Sequence, residues 1–185
     1  MTHRYHEIAF TPAVRSVQET EGSREAYARA TEKADPNDRF TARERDFIAA
    51  RDAFYIATVS ETGWPYVQFR GGPPGFVRML DDRTLGWAEF RGNQQYVTTG
   101  NIAGDDRVSL FLMDYPNRRR LKLFGRLRLD GSDALAQELA VPGYPAAVQR
   151  AAVITLAGFD WNCPQHIPRR HTVDEARALF SGEAS

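Results

Sequence analysis

FYIATVS at residues 54–60, the turn Glu61-Thr62-Gly63, and PYVQFR at 65–70 decide the fold class of this 185-residue chain. The first run is rich in β-branched and aromatic residues, and the turn is too short for anything but an antiparallel return. The next segments repeat the pattern. GGPPG at 71–75 reads as an irregular loop, FVRML at 76–80 as a third strand, and TLGWAEF at 84–90 as a fourth, after the Asp81-Asp82-Arg83 turn. RVSLFLMD at 107–114 alternates so that Val108, Leu110 and Leu112 share one face. After a tight turn over Tyr115 to Arg118, LKLFGRLRL at 121–129 carries apolar residues at every second position, as a strand with one buried face must. AAVITLAGFD at 151–160 is the last strand. Short helices are expected over Asn93 to Asn101 and Ser132 to Ala140. The expectation is a mainly β (α+β) fold of about six antiparallel strands, closed into a barrel or packed as a sandwich, with peripheral helices.

On the N-terminal side, Thr11-Pro12 is an N-cap with proline at the first helical position, Gly22 ends that helix and Ser23 opens another. Thr41 and Glu44 form a capping box ahead of Phe47 and Ile48, in a helix that stops near Arg51. A capped terminal helix starts at Thr172, with Glu175 three residues on. The chain therefore reads as one domain: a helical arm over 1–51, a barrel over 52–160, and a C-terminal loop and helix over 161–185.

Composition narrows the function classes. Zero formal net charge and a pI near 6.9 give no global attraction to nucleic acid or to an anionic membrane. No apolar run reaches the ~20 residues needed to cross a bilayer, and MTHRYHEIAF lacks the apolar core of a secretory signal. The single cysteine, Cys163, excludes an internal disulfide and fits a reducing compartment, so the expected location is cytoplasmic. Cys163, His166 and His171 lie close in sequence, but three ligands without a second cluster do not make a structural zinc site, and no metal is expected.

The densest chemistry lies between Asp52 and Asn101, where arginines, amides, glycines and the tryptophans Trp64 and Trp87 crowd into a few turn-separated segments. Guanidinium forks and a helix N-terminus suit a phosphate, and flat apolar walls suit a ring system. The paired glycines of RGGPPG permit close backbone approach to a ligand, although a plain inter-strand loop explains them almost as well.

The order of these motifs, from Gly-x-Pro-Tyr through Gly-Asn-Gln and Arg-Val-Ser-Leu to Arg-Arg-Leu, resembles the pyridoxamine 5′-phosphate oxidase-related FMN-binding family over about residues 11–170. The likeness is closest to the bacterial branch marked by RGGPPGF and WNCPQHI. It implies a six-stranded split β-barrel, a homodimer, and flavin mononucleotide (FMN) held between the subunits. It places Gln68 and Arg70 at ribityl and phosphate contacts and Trp87 and Ala88 along the flavin, with Gly71 among the cofactor-binding residues. Asn93 and Gln94 fall where the oxidase proper carries an Arg-Lys pair, so phosphate anchoring would pass to Arg70, Arg91 or Arg120. Arg120 also matches a position that reaches the isoalloxazine edge, although a solvated hairpin tip is the plainer account of it. Trp161 resembles a tryptophan that reaches the flavin from the second subunit, with His166 facing the open side of the ring as a possible proton donor. A packed turn that orders the C-terminus accounts for this segment equally well.

The function implied is hydride transfer at flavin N5 to or from a small substrate or a nicotinamide donor. The alternatives are a non-catalytic flavin store or sensor, and a barrel that uses a deazaflavin or haem. Pyridoxamine 5′-phosphate oxidation itself is not expected, because the chain ends in FSGEAS where the active oxidases carry an Arg-Leu-x-x-Arg type segment.

Overall fold

The computed structural model of the chain describes residues 3–161 and 164–181. Seven strands, β1 (Ala53–Val59), β2 (Pro65–Gly71), β3 (Arg78–Asp81), β4 (Thr84–Phe90), β5 (Arg107–Asp114), β6 (Arg119–Asp130) and β7 (Val148–Trp161), form one antiparallel sheet in the order β2-β1-β5-β6-β7-β4-β3. The expected count of six is thus corrected to seven, and the sheet does not close by hydrogen bonding. All seven segments singled out from the sequence carry a strand; β3 is a short edge that, among the described residues, pairs only with β4 and loses register between Met79 and Asp81. Phe76 and Val77, expected within that strand, precede it and plug the core at 2 % and 1 % exposure.

The inner face of the curled sheet is a single apolar core. Phe54 and Ile56 of β1, Leu110 and Leu112 of β5, Leu121 and Leu123 of β6, and Ile154 of β7 are fully buried there. Each contributes about 1.5–3 kcal/mol by leaving water. On the opposite face, α6 (Asp133–Leu139) seats Leu139 against Ala88 and Ala151, covering β4 and β7. Among the described residues, the outer face of β1 and β2 has no helix packed on it in the same way. Tyr55, Val59, Val67 and Phe69 stand there at 39 %, 42 %, 61 % and 57 % exposure.

The expected caps are present. Thr11 caps α2 (Pro12–Thr20), Thr41 and Glu44 cap α4 (Ala42–Ala49) reciprocally, and Thr172 exchanges hydrogen bonds with Glu175 at the start of α7 (Val173–Ser181). Ser23 precedes α3 (Arg24–Lys33) without a side-chain cap. α1 (Arg4–Ala9) lies within the helical arm expected over 1–51, though no start or stop signal marked it, and it is held by tertiary contacts. Tyr5 stacks on Phe124 at 4.6 Å, Arg4 N donates to Pro36 O, and α1 approaches β7 so closely that a Cβ on Gly158 would lie 2.8 Å from Tyr5 N.

Two imidazoles fasten this helix. His3 and His6 stack at 3.9 Å; His6 Nδ1 meets Thr31 Oγ1 at 2.9 Å, and His3 Nε2 meets Asn37 Nδ2 at 2.9 Å. Asp160 and Lys122 lie alongside. Burial lowers the pKa of both histidines, and this outweighs the opposing pull of Asp160. A histidine depressed in the fold binds fewer protons there than when released, so docking is firm above the unperturbed value of about 6.5 and weakens as pH falls below it. Hydrogen exchange of the α1 amides should therefore accelerate between pH 7.5 and 5.5 relative to the β6 amides. The double substitution His3→Gln and His6→Gln should abolish that difference.

Candidate flavin site

β2 and β4 are not hydrogen-bonded to one another, and the gap between them is a cavity of about 440 Å³. The strand pleat turns Gln68 and Arg70 away from the exposed Val67 and Phe69 and into the cavity, while Trp87, Ala88 and Glu89 form the facing wall. The start of β7 adds Arg150, and Tyr144 packs near Phe90 at the rim.

Glu89 ties the two sides together. Its carboxylate accepts from Arg70 Nη2 at 3.2 Å across the gap and from Arg150 Nε at 2.7 Å on the neighbouring strand. Arg91 places Nε and Nη2 at 2.8 and 3.0 Å from the Gln94 amide oxygen, in the amide orientation that satisfies both groups. Gln68 Oε1 accepts from the buried Thr98 hydroxyl at 3.0 Å. Two donors on the cavity walls have no partner although they are buried: Arg70 Nε and Trp87 Nε1. Buried donors without a partner are rare, and each has room for an acceptor such as a water, an ion or a ligand.

The expected helix from Asn93 is corrected: α5 spans Val97–Gly104. Asn93 Oδ1 accepts from Gln95 N, an Asx-type turn, and Gln94 and Tyr96 adopt left-handed backbone at φ 61° and 54°. Asn93 and Gln94 therefore sit in the loop before the helix. Because Tyr96 provides no side-chain cap, Val97, Thr98 and Thr99 bring uncapped first-turn N–H groups to the cavity wall. Free N–H groups at a helix start suit an anion, and the arginines lining the same cavity are Arg70, Arg91 and Arg150.

The family model of pyridoxamine 5′-phosphate oxidase matches residues 40–158 of the chain. The chain belongs to the pyridoxamine 5′-phosphate oxidase family. No relative among curated proteins matches it. Among solved structures, it is similar to HupZ of Group A Streptococcus (17 % identity, 71 % of this chain and 99 % of that one, TM-score 0.55). It is similar also to an FMN-binding protein of Syntrophomonas wolfei subsp. wolfei (12 % identity, 78 % and 97 % coverage, TM-score 0.53). A third is a Clostridium acetobutylicum protein related to general stress protein 26 of the pyridoxinephosphate oxidase family (13 % identity, 72 % and 94 % coverage, TM-score 0.50). At these identities the likeness is one of fold.

Of the residues singled out from sequence, the cavity gathers Gln68, Arg70, Gly71, Trp87, Ala88, Arg91, Asn93 and Gln94. Arg120, Trp161 and His166 are not on its walls. Arg120 lies on the outer side of β6 with its guanidinium 5.7 Å from the Phe111 ring, and its Nε is buried without a partner. Trp161 packs edge-on against Phe47, under the Arg43 guanidinium at 4.4 Å, and donates from Nε1 to Glu44 at 2.8 Å. Burial pushes the Glu44 pKa up; hydrogen bonds from Thr41 and Trp161 outweigh it and hold the carboxyl below its ordinary range. His166 is exposed, with φ 64°, in the irregular segment after β7. Asn162 and Cys163 lie outside the described residues.

Sequence reasoning missed Arg150, Glu89 and Thr98. The one signal for Arg150 and Glu89 was strand alternation, since the two are directly opposite in the β4–β7 register.

Proposed function

We propose that the chain is a homodimeric, FMN-dependent oxidoreductase with one flavin in each cavity. The observation that carries this reading is the pair of buried, unpartnered donors, Arg70 Nε and Trp87 Nε1, within a cavity that also presents a helix N-terminus. Uncapped N–H groups of α5 and the guanidiniums of Arg70, Arg91 and Arg150 suit a phosphate. Trp87 and Gln68 offer hydrogen-bonding edges to the ribityl chain and the ring. Bound flavin supplies hydride chemistry at N5.

The dimer completes the site in this reading. Arg150 on the cavity wall and Trp161 at the far end of β7 are separated by about 36 Å of extended strand, at about 3.3 Å per residue. Trp161 and Arg120 therefore serve the cavity of a second copy, brought close when the uncovered faces of β1 and β2 pack together. Arg120, with its Nε unpartnered, would sit near the edge of a flavin held by the partner, where a cation would stabilise charge gained on reduction. His166, in the segment after Trp161, is assigned the proton transfer to substrate.

The test is anaerobic mixing of the FMN-loaded protein with NADH or NADPH. Bleaching of the flavin band at a saturable rate is expected. Retention of flavin without reduction by either nicotinamide, or by any substrate screened, favours a store or sensor.

A further inference from the structure

Among the described residues, the charged side chains on the cavity wall are Arg70, Arg91, Arg150 and Glu89. Arg91 is matched by a neutral amide and keeps its full charge, whereas Arg70 and Arg150 share one carboxylate. Three positive charges less one leave two. A phosphate monoester carries about −1.5 to −2 at neutral pH, so the wall is charge-matched to one terminal phosphate.

Glu89 is no surface ornament. Its side chain is 11 % exposed, it reaches across the gap between β2 and β4, and it takes Arg70 Nη2 while the neighbouring Nε stays free. The anion is therefore directed to the edge of Arg70 that Glu89 leaves open, on the side of α5 and Arg91.

We infer that Glu89 is a specificity-determining residue: a fixed internal counter-charge that limits the cavity to a single phosphomonoester and weakens its hold on more highly charged anions. The inference rests on the flavin reading of the cavity. A carboxylate a few ångströms from the bound anion opposes it, and removing that charge from a partly buried site strengthens anion binding. The ligand's uncharged part is indifferent to the change.

The experiment is calorimetric titration of wild type and Glu89→Gln with FMN, riboflavin and inorganic pyrophosphate. Glu89→Gln is expected to tighten FMN by about tenfold or more, pyrophosphate by more than FMN, and riboflavin not at all. FMN binding that is unchanged or weaker while riboflavin is unchanged would overturn the inference. If Glu89→Gln fails to fold, the double variant Glu89→Gln with Arg150→Gln restores the wall to two positive charges. It should return the FMN-to-riboflavin affinity ratio to the wild-type value, and a ratio that stays altered contradicts the proposal. A wild-type chain that binds neither flavin overturns the flavin reading instead. Pyrophosphate then tests Glu89 alone, and affinity equal in wild type and Glu89→Gln rejects its role.

Discussion

Arg70→Ala is expected to weaken FMN binding by about tenfold to 150-fold while leaving the chain folded. A charged hydrogen bond contributes about 1.5–3 kcal/mol, and each 1.4 kcal/mol is a decade of affinity. Arg70 offers the cavity a buried donor without a partner, and its Nη2 bonds the β4 carboxylate across the gap. The substitution removes both a ligand contact and a tie that holds the walls together. Glu89 keeps Arg150, so the lost arginine does not strand a buried charge. Fluorescence-quenching titration measures the change, with Arg70→Lys as the intermediate case because lysine keeps the charge and loses the fork. Affinity equal to wild type in Arg70→Ala would remove Arg70 from the site.

Val67→Glu is expected to produce a monomer that has lost most of its FMN affinity, although every residue of its own cavity is intact. Val67 points outward from β2, opposite Ala57, and is 61 % exposed, so a glutamate there is hydrated in the isolated chain. Packed between two copies it would bury a carboxylate without a partner on each side of the axis, a cost of several kcal/mol per charge. Light scattering reads the mass, and the same titration reads the flavin. A dimer that survives the substitution places the interface elsewhere. A monomer with wild-type affinity shows that Arg120 and Trp161 contribute nothing from the second copy.

What could be read from sequence follows the range of the forces involved. Strand alternation is a local signal, and Val108, Leu110 and Leu112 are buried on one face as their spacing requires. The caps at Thr11, Thr41 and Thr172 are local as well, each settled by contacts within three residues. What local signals do not place is tertiary. α1 has a histidine at its N-cap and draws its stability from Phe124, Pro36 and Thr31, far along the chain. The start of α5 was displaced because the Asn93 side chain competes for the backbone and delays the helix to Val97. Within the candidate site, Gln68 and Arg70 of β2 and Trp87 and Ala88 of β4 were legible as wall positions because their strands were, and Glu89 of β4 was not. Arg150 was not, since its value comes from register against Glu89 across the sheet. Trp161 illustrates the limit: its side chain bonds Glu44 in its own chain, a contact between residues 117 apart in sequence.

The proposed function requires one FMN in the split between β2 and β4 and two chains to hold it. The most direct measurement is titration of the purified chain with FMN, reading the visible flavin band of the bound fraction together with the mass of the complex. One FMN per chain is expected in a particle of two chains, with the band shifted from that of free flavin. A chain that takes up no FMN, or a monomer that binds it fully, would contradict it.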